Sequence, residues 1–190
     1  MRTICLLLTA LLLAAAIVTE AQPDRSYERD AAFYEGEKLT YIVFPPDQFR
    51  MIDHEAATDG YSCAFVPDSQ QYQTAETIIG INMFKTRGLK FADVVARDTA
   101  ALREHYGSNV AIRPVDSVTA SSGQTITTFS INDTARFIPN IMIAYVDGQT
   151  ELLVFELVIT DHAASSTAES TFIQCLKRLK VQPIGELGQK

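Results

Sequence analysis

Apolar and polar residues alternate with a period of two along much of this chain, and the period lengthens to 3.6 in two places. LTYIVF (Leu39–Phe44) is rich in β-branched and aromatic residues and reads as a strand. Pro45-Pro46 ends it, because proline cannot donate to a sheet ladder. FRMIDHE (Phe49–Glu55) reads as a second short extended run, and TDG (Thr58–Gly60) as a turn. In YSCAFVP (Tyr61–Pro67) alternation puts Tyr61, Cys63 and Phe65 on one face. TIIGINMF (Thr77–Phe84) is a further strand.

The helical period appears first in FADVVARDTAALREHY, where Phe91, Val94, Val95, Leu102 and Tyr106 line one side. Asp93 suits the positive end of that helix dipole, and Gly107 suits its C-cap. VAIRPVDSV, QTITTFSI, IMIAYV and ELLVFELVIT then predict four more strands. The last two flank Asp147-Gly148-Gln149-Thr150, a hairpin signal in which Asp-Gly is expected to supply positive φ. STAESTFIQCLKRLK predicts a closing helix with a Ser166/Glu169 capping box and a stripe of Phe172, Cys175, Leu176 and Leu179. Strands joined by short links pair antiparallel, and each amphipathic helix must bury its stripe. The expected fold is therefore α+β: a single, mostly antiparallel twisted sheet with two main helices packed on it, an α-β-α sandwich.

The ends of the chain set its boundaries. Arg2 precedes an apolar run from Ile4 to Val18, shorter than the ~20 residues that span a bilayer. Thr19 and Ala21 stand at −3 and −1 of a cut after Ala21, so residues 1–21 read as a signal peptide; an uncleaved N-terminal anchor is the alternative. No lipobox precedes Cys5. Residues 22–38 read as a mobile lead-in, 39–182 as the folded domain and 183–190 as a tail. The chain has 190 residues and a formal charge of −7, which loss of Arg2 and Glu20 leaves unchanged. An acidic domain without a basic cluster argues against nucleic acid and against anionic membrane surfaces as partners.

The order of elements resembles the PsbP-like family, which shares its fold with a Ran-binding nuclear import factor. The resemblance runs from about Leu39 to Val181. It rests on IVFPPDQF, where the family often has a proline followed by a tryptophan and this chain has Phe49, then on AFVP, GLKFADVV, SSGQTITTFSI, the hairpin and the terminal helix. It implies an α-β-α sandwich and a non-enzymatic role in binding or assisting other molecules, with no cofactor, no metal ligand and no catalytic residue carried over.

The chemically suggestive residues each have a plainer role as well. In an extended Asp53-His54-Glu55, alternation would put His54 opposite its two acids. Thr160-Asp161-His162 with Ser165 and Ser166 has the residue types of acyl transfer but no G-x-S-x-G elbow, and is better explained by a strand exit and a helix cap. His105 sits beside Glu104 at the helix end where the dipole favours basic residues. Asn132-Asp133-Thr134 is a glycosylation sequon whose use depends on the host. Cys63 and Cys175 leave two readings open. One is a disulfide closing a loop of roughly a hundred residues, worth about 4–5 kcal/mol; the other is two buried thiols. Pro45, Pro46 and Phe49 form a corner that a partner could recognise. The functional expectation is an exported, periplasmic or extracellular, non-enzymatic binding or accessory domain for an unknown protein or small ligand. The alternative is a secreted hydrolase whose site is assembled from distant histidines and acids.

Overall fold

A computed structural model describes residues 31–107, 110–133, 140–160 and 165–184. The expected signal segment, the Asp161–His162 pair, Thr134 of the sequon and most of the C-terminal tail lie outside these residues. The chain runs β1 (Ala32–Glu35), β2 (Leu39–Val43), β3 (Phe49–Ile52), α1 (His54–Thr58), β4 (Cys63–Pro67), a 3-10 turn (Tyr72–Thr74) and β5 (Thr77–Lys85). It continues with α2 (Phe91–Tyr106), β6 (Val110–Thr119), β7 (Thr125–Asp133), β8 (Asn140–Asp147), β9 (Glu151–Ile159), α3 (Ser165–Arg178) and β10 (Lys180–Pro183).

The fold is α+β with antiparallel pairing, as expected. Its strands divide between two sheets, a seven-stranded one in the order β3-β4-β5-β9-β8-β7-β6 and a three-stranded one in the order β1-β2-β10. Two of the small sheet's strands depart from the expected boundaries. Ala32–Glu35 falls in the segment read as a lead-in, and Lys180–Pro183 begins where the last helix was expected to end. Both pair with β2.

Alternation decides what covers each face of the large sheet. Cys63, Phe65, Ile79, Ile81, Leu153, Phe155 and Leu157 point to one side, into a core closed by Phe172, Cys175 and Leu176 of α3 and by Tyr34, Tyr41 and Val43 of the small sheet. On the other side α2 lays Val95 and Leu102 over Ile131, Ile141, Ile143 and Tyr145. A separate cluster of Ile52, Ala56, Ala64 and Val66 lies under α1. Tyr61 belongs to that cluster, opposite Cys63 and Phe65, because the chain bends at Ser62 before the strand begins; the expected shared face is thus corrected.

Three expected end signals take different forms. Asp53-His54-Glu55 opens a short helix, with Asp53 as N-cap accepting from its neighbour's amide at 2.7 Å, so the strand assignment past Ile52 is also corrected. Ser166, expected as the N-cap, is the second residue of α3 and so lies inside the helix. In the β8–β9 hairpin positive φ falls on Gln149 at 70°, not on Gly148. The last helix ends against the β6–β7 turn: the amide of Ser121 donates to the Lys177 carbonyl at 2.8 Å, and its hydroxyl to the Leu179 carbonyl at 3.2 Å.

Gly148 is needed for space. A Cβ there would lie 1.9 Å from the Tyr41 hydroxyl and 2.9 Å from the Glu151 carbonyl oxygen. The contact belongs to the joint between the sheets, where the Glu151 carboxylate is only 2% exposed. It accepts from the Tyr41 hydroxyl at 3.2 Å, the Glu37 amide at 3.4 Å and the Thr150 hydroxyl. Gly148→Ala is expected to destabilise the domain by about 2 kcal/mol through overpacking. Urea unfolding should show a lower midpoint with unchanged slope, whereas an unchanged midpoint would mean that this joint is loose.

Candidate functional site

The most unusual chemistry lies on the face of the large sheet that α1 and α2 cover, at the seam between them. Glu156 occupies the middle of central strand β9 and is 9% exposed. Its cross-strand neighbours are Gly80 on β5 and Ile143 on β8. Glycine leaves room there for the Tyr61 ring; a Cβ at position 80 would sit 2.2 Å from that ring. Tyr61 donates its hydroxyl to Glu156 at 2.8 Å. One residue pair along, Asn82 faces Val154, which faces Tyr145. The Asn82 side-chain oxygen accepts from the Ser62 amide at 2.8 Å. Tyr145 donates to the carboxylate of Asp98, which hangs over the seam from α2.

Two carboxyls therefore share a desolvated region whose named partners are neutral hydroxyls. Burial pushes Glu156 up to about 7; the Tyr61 hydrogen bond opposes this and the negative Asp98 adds to it. Burial also raises Asp98, against the Tyr145 hydrogen bond. Burial and the adjacent Asp98 carboxylate raise Tyr145 far above its usual value, so it stays a donor.

Neither acid was singled out from the sequence, yet each breaks an apolar pattern. Glu156 is the polar residue inside LLVFELVI, and Asp98 lies four residues from both Val94 and Leu102 on the helix stripe. A charged residue inside a core-facing pattern is the signal that could have found them.

The residues the sequence did single out are dispersed. His54 and Glu55 are exposed at the start of α1. His105 is exposed at the end of α2, its ring 4.8 Å from that of Tyr106. Among the described residues no group of three His, Cys, Asp or Glu side chains could hold a metal ion. Pro46 is buried, while Pro45 and Phe49 are half-buried and Phe49 packs on the main core. That corner is braced from the C-terminal side by Arg178, 2.9 Å from Asp47, and by Lys180 over the Phe44 ring at 4.6 Å. Its exposed residues are Asp47 and Gln48.

Cys63 and Cys175 lie in one core cluster as free, buried thiols. The Tyr34 hydroxyl is 3.0 Å from Cys63 Sγ, and Cys175 Sγ donates to the Phe44 carbonyl at 3.5 Å. Burial pushes both thiols up to about 12, Tyr34 partly opposing the rise at Cys63 and Cys63 adding to it at Cys175. Such thiols are poor nucleophiles.

No family model matches the sequence, and no curated protein does. Solved structures do. A cyanobacterial PsbP (CyanoP) from Synechocystis sp. PCC 6803 superposes with a TM-score of 0.50 at 11% identity, covering 83% of this chain and 95% of its own. LpqN from Mycobacterium tuberculosis, described as involved in cell envelope biogenesis, superposes with a TM-score of 0.54 at 12% identity, covering 76% and 84%. The fold is PsbP-like. In this PsbP-like chain the Asp98–Glu156 seam lies between the two helical covers of the large sheet.

Two measurements check the site. Folded Glu156 keeps its proton up to about pH 7, whereas a carboxyl in the unfolded chain loses it near 4.5. The folded state therefore binds more protons across that window, and stability falls as pH rises through it, by about 3 kcal/mol. Glu156→Gln should flatten this slope in urea titrations from pH 4.5 to 8; a wild-type slope in the variant would remove Glu156 as its cause. In protein lacking residues 1–21, a thiol reagent should find no reactive cysteine before unfolding and both Cys63 and Cys175 after it. Absence of thiols after unfolding would instead reveal a disulfide.

Proposed function

We propose that this chain is an exported accessory or binding domain of the cell envelope, acting by holding a partner or small ligand and not by catalysis. The observation that carries the reading is the PsbP-like fold, spread over most of the chain and shared with a protein described as involved in cell envelope biogenesis. The apolar run from Ile4 to Val18 supports export, since it has the length of a signal core. The Glu156 seam supports binding, since carboxyls with raised pKa between two structural covers are more common at functional sites than elsewhere.

Fractionation of cells carrying a C-terminally tagged chain, with N-terminal sequencing of the product, tests the proposal. The expected product begins at Gln22 and is found outside the cytoplasm. A full-length product confined to the cytosol would overturn it.

A further inference from the structure

The two covers on the Glu156 face are unequal. α2 is sixteen residues long and spans β7 and β8, with a cluster around Leu102 and Tyr145. α1 is five residues long and closes only the small cluster around Ala56, Ala64 and Val66, over β3 and β4 at one edge of the sheet. This short cover reaches central β9 through Tyr61, whose ring crosses β5 in the space that Gly80 leaves. Its backbone closes on itself: the Ala57 amide donates to the Asp53 carbonyl at 3.0 Å and the Tyr61 amide to the Ala56 carbonyl at 3.1 Å. The tie to the sheet follows at Ser62, whose amide donates to the Ile81 carbonyl at 3.0 Å. Residues 53–61 thus form a small unit between two fixed ends, Ile52 on β3 and Ser62.

We propose that residues 53–61 are a pH-sensitive cover, which closes over protonated Glu156 in mild acid and lifts as Glu156 ionises towards neutral pH, baring the apolar cluster beneath α1. The geometry sets the direction. Glu156 is 9% exposed on the central strand, with Gly80 and Ile143 beside it, and an ionised carboxyl there has lost its water. The titratable groups facing it are Tyr61 from the cover, Asp98 from α2 and Tyr145 from β8, and on β5 the residues sharing its face, Ile78, Gly80 and Asn82, are neutral. The cover itself carries Asp53, Glu55 and Asp59, an exposed His54, and no lysine or arginine. Ionised Glu156 therefore meets a hydroxyl and like charges under a closed cover, and water once the cover lifts. The closed form holds the proton up to about pH 7 and a hydrated carboxyl releases it near 4.5, so opening releases a proton between these values. Opening is then least favourable in acid and grows as pH rises to 7. Tyr61 is the side chain that moves, because it alone joins the short cover to β9 in the hydrogen bonds described here.

This inference goes beyond the binding-domain reading and does not depend on it, so the fractionation result leaves it standing. The test is amide-resolved hydrogen exchange of the protein between pH 5 and 8, corrected for intrinsic exchange, at Ala57, Asp59, Gly60 and Tyr61. Their opening constant should rise about tenfold per pH unit from about pH 5 to 7, the slope of one released proton, and level off above about 7, where the closed form is ionised too. Up to about 1 M urea should leave this exchange unchanged, since a small opening exposes little surface. Glu156→Gln should remove the slope. Tyr61→Phe keeps the ring over Gly80 and removes the hydrogen bond that favours the ionised form, so the levelling-off should move above pH 7. A flat profile in the unsubstituted protein, a slope retained in Glu156→Gln, a levelling-off that Tyr61→Phe leaves in place, or exchange as sensitive to urea as that of β9 would each overturn the switch.

Discussion

Two-sided burial of β9 is the constraint from which the architecture follows. A strand reading ELLVFELVI has apolar side chains on both faces, so each face of the sheet around it needs a cover. A single amphipathic helix is too narrow for a sheet of seven strands. One face is therefore closed by α3 together with a second, three-stranded sheet, and the other by α2 and the short α1 unit side by side. The joint at Glu151 and the seam at Glu156 are where these covers meet. One strand carries both buried acids, one on each face.

The two acids are handled in opposite ways. Glu151 receives three donors, two from the β1–β2 hairpin and one from the adjacent Thr150, and Gly36 and Gly148 make room for it; a Cβ at Gly36 would lie 2.1 Å from its carboxylate. That arrangement fixes the small sheet against the β8–β9 hairpin. Glu156 has one tyrosine hydroxyl and a second acid nearby. A fully satisfied buried carboxylate contributes a fixed geometry, whereas a partly satisfied one holds its proton to higher pH.

Most of the framework was legible because its elements are long. The sixteen residues of α2 and nine-residue strands such as β5 and β9 give several periods each, enough to separate 3.6 from 2. AFYE and KVQP span two periods at most, and KVQP opens two residues after Lys177 and Arg178, the basic end of α3, so its Lys180 reads as one more residue of that helix. The extended run expected over Phe49–Glu55 goes three residues past the strand's end at Ile52; Asp53 is a good N-cap residue and starts a helix there. Tyr61 was assigned to the wrong face because alternation holds only while the chain stays extended, and Ser62 bends it. The seam was missed for a different reason. Its acids come from α2 and β9, and only the tertiary pairing of β5 with β9 brings Tyr61 over Gly80 to meet Glu156.

The small sheet also bears on when the chain can fold. Its middle strand, Leu39–Val43, waits for Lys180–Pro183, which lies near the other end of the sequence. The main core is closed on one side by that sheet and by the helix just before its last strand. Until Lys180–Pro183 has joined it, β2 has one neighbour and the core face beneath α3 stays open to water. Non-local closure of this kind makes the small sheet a late and slow step in folding, since its outer strands are joined only after a long loop is closed.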